Sequence, residues 1–234
     1  MAAKLTVAVP AKGRLKDNAA ALFERAGLTL RKTGHQRGYN GVMQGLDGVD
    51  VAFLSAAEIV HQLEAGRVHI GITGKDLIRE TLPDVEGSVE FLAPLGFGRA
   101  DVVVAVPDCW IDVVRMADLE DVAAQFARVH GRRLRVATKY LNLTRRFFAS
   151  AGVAGYRIVE SVGATEGTPA AGTAELVVDI TTTGTTLAAN HLKVLEDGLI
   201  LQSQAHLFAA RGAEWTKDAL RLRDAILDRL SKAV

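Results

Sequence analysis

Short apolar runs alternate with longer stretches in which apolar residues recur every three or four positions, and the alternation continues along all 234 residues. Runs at 5–9, 49–54, 69–73, 101–106, 134–138, 156–159 and 176–180 read as strands. Several, such as Val7-Ala8-Val9 and Leu176-Val177-Val178, are apolar at consecutive positions, the pattern of a strand covered by helices on both faces. Between the strands, 14–26 places Leu15, Leu22, Phe23 and Ala26 on one side of a helix. Ser55-Ala56-Ala57-Glu58 reads as a capping box opening a helix to about residue 65, with Gly66 as the stop signal. Helices over 117–129 and 140–151 end at Gly131 and Gly152. A last helix over 213–232 carries Trp215, Ala219, Leu222, Ile226 and Leu230 as one stripe. Such alternation predicts an α/β fold built on a parallel sheet.

No repeat, low-complexity tract or linker interrupts the pattern. Two lobes are nevertheless expected, made by a chain that crosses over and returns. The breaker-rich Pro94-Leu95-Gly96-Phe97-Gly98 marks one crossing and the region after Gly184 the other. Lobe I is then 1–95 plus 187–234, and lobe II is 96–186, with 199–208 leading into the terminal helix.

The composition narrows the function. At 49% apolar and 24% charged, the chain can bury a core and is not a disordered tail. Lys and Arg total 28 against 27 acids, so no whole-surface field for nucleic acid or anionic lipid is expected. Cys109 is the only cysteine, which excludes an internal disulfide and favours a reducing compartment; the histidines and this thiol show no zinc spacing. The first residues turn polar at Lys12-Gly13-Arg14 without a secretory h-region, and no run approaches the roughly 20 apolar residues of a membrane span. A soluble, cytoplasmic product with no nucleic-acid or membrane partner is expected.

The sharpest chemical signal is Asp179-Ile180-Thr181-Thr182-Thr183-Gly184-Thr185-Thr186-Leu187. A buried strand delivers an acid at its carboxyl end, a Thr/Gly turn follows, and a helix begins at about Thr185. Helix N-termini leave amides unpaired, Gly184 lets the backbone approach closely, and Thr182, Thr183, Thr185 and Thr186 add hydroxyl donors. Asp179 can accept hydrogen bonds from sugar hydroxyls, so the group suits a ribose 5-phosphate. A plain turn with threonine N-caps is the simpler reading, but four threonines around one glycine exceed what capping needs. No Walker or dinucleotide glycine pattern is present.

Three other junctions add to it. Pro10-Ala11-Lys12-Gly13-Arg14 offers two cations to a phosphate or pyrophosphate. Gly71-Ile72-Thr73-Gly74-Lys75-Asp76 ends a strand and starts a helix, where the glycines permit close approach of a base or ribose; Asp76 alone reads better as a complement to the helix dipole. From Arg128 to Arg157 there are eight basic residues and no acid, and Lys139 within that stretch sits at a fourth strand-to-helix junction, able to meet a polyphosphate. Arg132, Arg133 and Arg146 read as a solvated face or subunit contact. Glu166, in the loop Gly163-Ala164-Thr165-Glu166-Gly167, either approaches the sugar or a magnesium ion or is a solvated loop acid. His61, His206 and Cys109 read as packing or surface residues.

Taken in this order and spacing, the motifs at Lys12–Leu15, Gly71–Leu77, Arg135–Tyr140 and Asp179–Leu187 resemble those of ATP phosphoribosyltransferase in its short form, over nearly the full length. The resemblance implies a two-lobed fold like type II periplasmic binding proteins, with substrates in a central cleft. It implies transfer of phosphoribosyl from phosphoribosyl pyrophosphate (PRPP) to N1 of ATP, the first step of histidine biosynthesis, with Mg²⁺ bound through the substrate phosphates. On that basis Glu166, Asp179, Thr182, Thr183, Gly184, Thr185 and Thr186 bind PRPP. Lys12, Arg14, Gly71, Thr73, Gly74, Asp76 and Lys139 face ATP, and Lys12 and Arg14 carry the catalytic charge. Long-form relatives add a C-terminal regulatory domain for which no room is expected here. A homodimer of catalytic chains within a hetero-oligomer, with a histidyl-tRNA-synthetase-like regulatory subunit, is therefore implied. One departure stands out: where many relatives have an arginine, with an aspartate three residues on, this chain has Ser55 and Glu58. That leaves Lys12, Arg14, Lys139 and Arg37 to supply positive charge. The rivals are a solute-binding protein of the same architecture and a phosphoribosyltransferase for orotate or a purine base; the latter usually pairs two acids before the phosphate turn, whereas Val178 precedes Asp179 here.

Overall fold

The computed structural model describes residues 5–33 and 39–233. The chain begins with β1 (Leu5–Pro10), α1 (Gly13–Arg25), β2 (Thr29–Lys32), β3 (Asn40–Gln44) and β4 (Val49–Leu54). Next come α2 (Ala56–Glu64), β5 (Ile70–Gly74), α3 (Lys75–Thr81), α4 (Val85–Ser88) and β6 (Val89–Pro94). The middle of the chain forms β7 (Ala100–Pro107), α5 (Met116–His130), β8 (Leu134–Thr138), α6 (Leu141–Ser150) and β9 (Tyr156–Glu160). It continues through a 3₁₀ turn (Thr165–Gly167), β10 (Leu176–Thr181), α7 (Thr185–Ala189) and β11 (Leu192–Ser203), then returns as β12 (Ala205–Ala210) and α8 (Lys217–Ser231).

Two compact units result, one of 1–98 with 204–234 and the other of 99–203. The return crossing therefore lies at Ser203/Gln204 and not after residue 186, and the outgoing one at Gly98/Arg99 and not at 95/96. The cause is β11, which runs antiparallel along β7 from Leu192 opposite Pro107 to Ser203 opposite Ala100. Those ladder bonds keep 187–203 in the second unit.

The first unit is a seven-stranded sheet ordered β2-β3-β4-β1-β5-β12-β6. β1 pairs in parallel with β4 and β5, so the carboxyl ends of these three strands share one edge. Leu5, Val7, Ala8 and Val9 are all buried, which is why β1 reads as apolar without alternation. α1 packs Ala19, Leu22 and Phe23 on one face of this sheet, and α8 adds Ala219, Leu222, Ile226 and Leu230. Full burial of each larger aliphatic or aromatic side chain contributes roughly 1.5–3 kcal/mol. Thr216 caps α8 by accepting the Ala219 N–H at 3.1 Å, so this helix starts at Lys217 and not at 213.

The second unit is a five-stranded sheet ordered β11-β7-β10-β8-β9. β8 runs parallel to both β9 and β10, while β7 is antiparallel to β10 and β11. Both sheets are thus mixed, a departure from the all-parallel expectation. One face of the second sheet packs Val104, Val136, Leu176 and Val178 with Leu119, Ala123 and Phe148 of α5 and α6. The other packs Val103, Ala105, Ala137 and Val177 with Leu187 of α7. Since side chains alternate along β10, Asp179 and Thr181 follow Val177 onto the face that carries α7.

Candidate active site

β8, β9 and β10 run in the same direction, so 139–141, 161–168 and 182–186 all leave the sheet at one edge. In open α/β sheets this carboxyl edge is where ligands bind. Asp179 is half-buried on β10. Its burial pushes the carboxyl above the ordinary aspartate value. Opposing that are the Ile180 N–H, which donates to Asp179 Oδ1 at 2.8 Å, and the charge of Lys139; the charge of Glu166 adds to the upward push. Two further expected site residues, Lys139 and Glu166, therefore lie within electrostatic reach of Asp179.

Glu166 is not in a free loop. It sits in the 3₁₀ turn, which follows Ala164 in the left-handed region at φ 49°. The turn is held by Thr165 Oγ1 donating to Ser161 Oγ at 3.1 Å and by Thr168 Oγ1 donating to the Thr165 carbonyl at 2.7 Å. Lys139 is exposed, with its ammonium 5.0 Å from the centre of the Tyr140 ring. Behind it, Thr138 Oγ1 accepts the Tyr140 N–H at 2.8 Å and fixes the entry to α6, whose first turn holds no acid.

The threonine turn has the expected position and a more constrained interior. Gly184 lies at φ 74°, in the left-handed region that favours glycine, and a Cβ there would meet nothing within 4 Å. Its N–H donates to Thr181 Oγ1 at 2.8 Å. Thr182 Oγ1 donates to the Arg99 carbonyl at 3.4 Å, and the hydroxyls of Thr183 and Thr185 bond each other at 2.8 Å. The hydroxyls of Thr183 and Thr185 are thus engaged within the loop and that of Thr182 outside it, fewer free donors than four threonines suggest. No hydrogen bond within the described residues takes up the backbone N–H of Thr182, Thr183 or Thr186, or the Thr186 hydroxyl. α7 is only five residues long, so the turn's own amides, more than a helix dipole, define the anion-seeking surface.

The basic stretch resolves differently at the opposite edge. Glu175 is almost enclosed by Arg132 and Arg135, with Arg135 Nη2 at 2.6 Å, Arg132 Nη2 at 3.0 Å and the Arg135 N–H at 2.7 Å. Burial alone would raise this carboxyl; the guanidinium hydrogen bonds outweigh it and bring it down to about 2. Arg132, expected to be a solvated or subunit-facing residue, is exposed and also pairs with Glu175.

In the first unit, Lys12 is the N-cap of α1 and makes no side-chain cap, the first turn contains no acid, and Lys12 and Arg14 are both exposed. An uncapped N-terminus of a 13-residue helix flanked by two cations suits an anion. Ser55, at the family-arginine position, is engaged as the N-cap of α2, its Oγ accepting the Glu58 N–H at 3.1 Å. Arg37 lies outside the described residues.

The Gly71–Asp76 segment departs most from expectation. Gly71 is buried in β5, and a Cβ there would come within 2.7 Å of Ile59 and 2.9 Å of Leu63 on α2. The close approach that this glycine permits is helix on strand, not ligand on strand. Thr73 is fully buried and donates to the Ala56 carbonyl at 3.2 Å. Only Gly74, the N-cap of α3, is part-exposed among these four; Asp76 is buried in the first turn of α3 and is engaged there. His206, opposite Thr73 on β12, is half-buried beside Phe91 and Phe208, in keeping with packing, and burial lowers its pKa.

A family model described as HisG, ATP phosphoribosyltransferase, matches residues 55–232. The chain is 60% identical over 231 residues to the ATP phosphoribosyltransferase of Rhodopseudomonas palustris (strain BisB18), covering 99% of this chain and 71% of that protein. The chain belongs to the ATP phosphoribosyltransferase family. A second family member, from Afipia carboxidovorans, is 59% identical over 231 residues, covering 99% of this chain and 71% of that protein. The activity that goes with membership is ATP phosphoribosyl transfer, the first step of histidine biosynthesis. Among solved structures, the ATP phosphoribosyl transferase (HisG:HisZ) complex from Thermotoga maritima contains a chain of like fold, with TM-score 0.74 and 24% identity over 98% of this chain and 97% of that one. An amino-acid ABC transporter extracellular-binding protein from Bacillus subtilis, ytmK, shares the fold at TM-score 0.54 and 13% identity, over 99% of this chain and 92% of that one. The periplasmic-binding-protein-like architecture expected for the family is thus the architecture found. No helix of the described residues is long and apolar enough to cross a membrane.

Proposed function

We propose that the turn at 182–186, with Asp179, Glu166 and Lys139 around it, holds PRPP, and that Lys12 and Arg14 serve ATP and the departing pyrophosphate. The observation that carries this is the convergence, at one sheet edge, of two acids, one lysine and a turn in which the Thr182, Thr183 and Thr186 amides have no hydrogen-bond acceptor among the described residues. The amides suit the 5-phosphate and Asp179 the ribose hydroxyls. Gly71 and Thr73 act through packing, so the ATP contact expected of their segment narrows to Gly74.

The reaction joins adenine N1 to ribose C1 with inversion as pyrophosphate leaves. Positive charge develops on the sugar and negative charge on the leaving group. No covalent nucleophile is required, and the rate comes from alignment and electrostatic stabilisation. Mg²⁺, when bound, neutralises the pyrophosphate. The described residues bring no three His, Cys, Asp or Glu side chains together as a metal set, and on this reading substrate phosphates would supply most ligands, with Asp179 and Glu166 the protein carboxylates available beside the turn. A histidyl-tRNA-synthetase-like regulatory partner, on a catalytic homodimer, is favoured by the near-complete overlap with the T. maritima HisG:HisZ chain.

The test is absorbance of the phosphoribosyl-ATP adduct from purified chain with ATP, PRPP and Mg²⁺, with and without the candidate regulatory subunit. Asp179→Ala and Lys12→Ala are each expected to lower turnover by about 100-fold or more without unfolding. Wild-type rates in both variants would remove these assignments.

A further inference from the structure

We infer that Thr181 is a positioning residue that holds the phosphate turn in its binding shape without touching substrate. The inference rests on the PRPP reading of that turn. Thr181 is the last residue of β10, paired in the ladder with Asp101 of β7, so its backbone is anchored. Its Oγ1 accepts the Gly184 N–H at 2.8 Å. That one bond closes a loop of three residues and ties the only left-handed residue of the turn, Gly184, to the sheet.

The other hydroxyls cannot replace it. Thr182 reaches the Arg99 carbonyl at 3.4 Å, a long and weak bond, and Thr183 and Thr185 pair with each other inside the loop. Without the Thr181 hydroxyl, Gly184 has both left- and right-handed basins open to it, and the turn spreads over several conformers. A ligand then binds only the competent fraction, and its apparent affinity falls by that fraction. The step on which this acts is PRPP binding; ATP binding and the chemistry of the bound complex do not depend on it.

Thr181→Val keeps size and branching and removes the acceptor; Thr181→Ser keeps the acceptor and removes a methyl. Calorimetric titration of each purified chain with PRPP in Mg²⁺, and separately with ATP, gives the two affinities. For Thr181→Val we expect PRPP affinity to fall about 3- to 10-fold, the range of one net hydrogen bond, with ATP affinity unchanged and Thr181→Ser close to wild type. Equal PRPP affinity in all three chains, or equal losses for Val and Ser, would overturn the positioning role. Hydrogen exchange on the wild type separates the two layers of the argument. Protection of the 182–187 amides by PRPP is expected; its absence would overturn the PRPP reading itself, whatever Thr181 does.

Discussion

The 71–76 and 179–186 segments look alike in sequence: each is a buried strand ending in threonine and glycine, followed by a helix. Their glycines do opposite things. At Gly71 the missing Cβ is occupied by Ile59 and Leu63, whereas at Gly184 it faces open space and the backbone itself is left-handed. The hydroxyls follow suit, since Thr73 is sealed against α2 and Thr186 is exposed with its oxygen unengaged. On the proposed reading, a strand-to-helix junction becomes a ligand site by what is kept off it. Composition cannot distinguish the two, because a glycine chosen for packing and one chosen for φ are written with the same letter.

The sharpest way to break the comparison is to fill both glycines. Gly71→Val drives a side chain into α2 and is expected to destabilise the first unit by about 3 kcal/mol or more, since overpacking costs 1–3 and the clash reaches two residues. The readout is a fall in the thermal midpoint and in soluble yield. Gly184→Val meets no atom and is instead strained by its φ, by about 1–2 kcal/mol. There the midpoint should move by only a few degrees while turnover drops by about 100-fold or more. If Gly184→Val retained wild-type turnover, the turn would be structural, as the 71–76 junction is.

How far the sequence led can be traced through particular strands. β1, β4 and β10 were legible because burial on one or both faces forces a run of apolar residues. β11 was not: Leu192–Ser203 contains Lys193, Glu196 and Asp197, and bulges between Val194 and Leu201 break its period of two. Missing that strand misplaced the return crossing by some seventeen residues, from 186 to 203. β2 and β3 were missed for a related reason, as short strands with mostly exposed side chains carry little hydrophobic signal. At the site, the acid and the turn were legible from residue types in a row. The packing role of Gly71, the clamp on Glu175 and the Thr181 bond depend on partners distant in sequence or on hydrogen-bond direction, neither of which a row of residue types contains.

Glu175 and Asp179 sharpen the same contrast around one strand. One acid precedes β10 and the other lies on it, yet the one clamped by two guanidinium groups is held at about 2 and the half-buried one is pushed up. Because the folded-state value of Glu175 lies below its ordinary 4.5, it contributes stability above about pH 4.5, and that contribution is lost as pH falls toward 2. Glu175→Gln leaves Arg135 and Arg132 without their counter-charge and is expected to cost about 2–3 kcal/mol at neutral pH. The check is a set of chemical-denaturation curves between pH 7 and pH 3. The wild type should lose part of its margin over the variant as pH drops, while the variant's PRPP affinity at pH 7 stays normal. A margin independent of pH would show that the clamp is not set by charge.

The smallest effects come from the two threonines. Thr73→Val removes a buried donor from the Ala56 carbonyl and puts a methyl in its place, for a loss of about 1 kcal/mol in stability and none in substrate affinity. Thr186→Val alters an exposed hydroxyl that has no hydrogen bond among the described residues, so stability should hold while PRPP affinity falls a few-fold, roughly one hydrogen bond's worth. The pair of measurements matters more than either alone. Threonines that differ only in what packs against them should show their losses in different assays, one in the melting curve and the other in the titration. A swap of those two columns would mean that the buried junction, not the exposed one, meets the substrate.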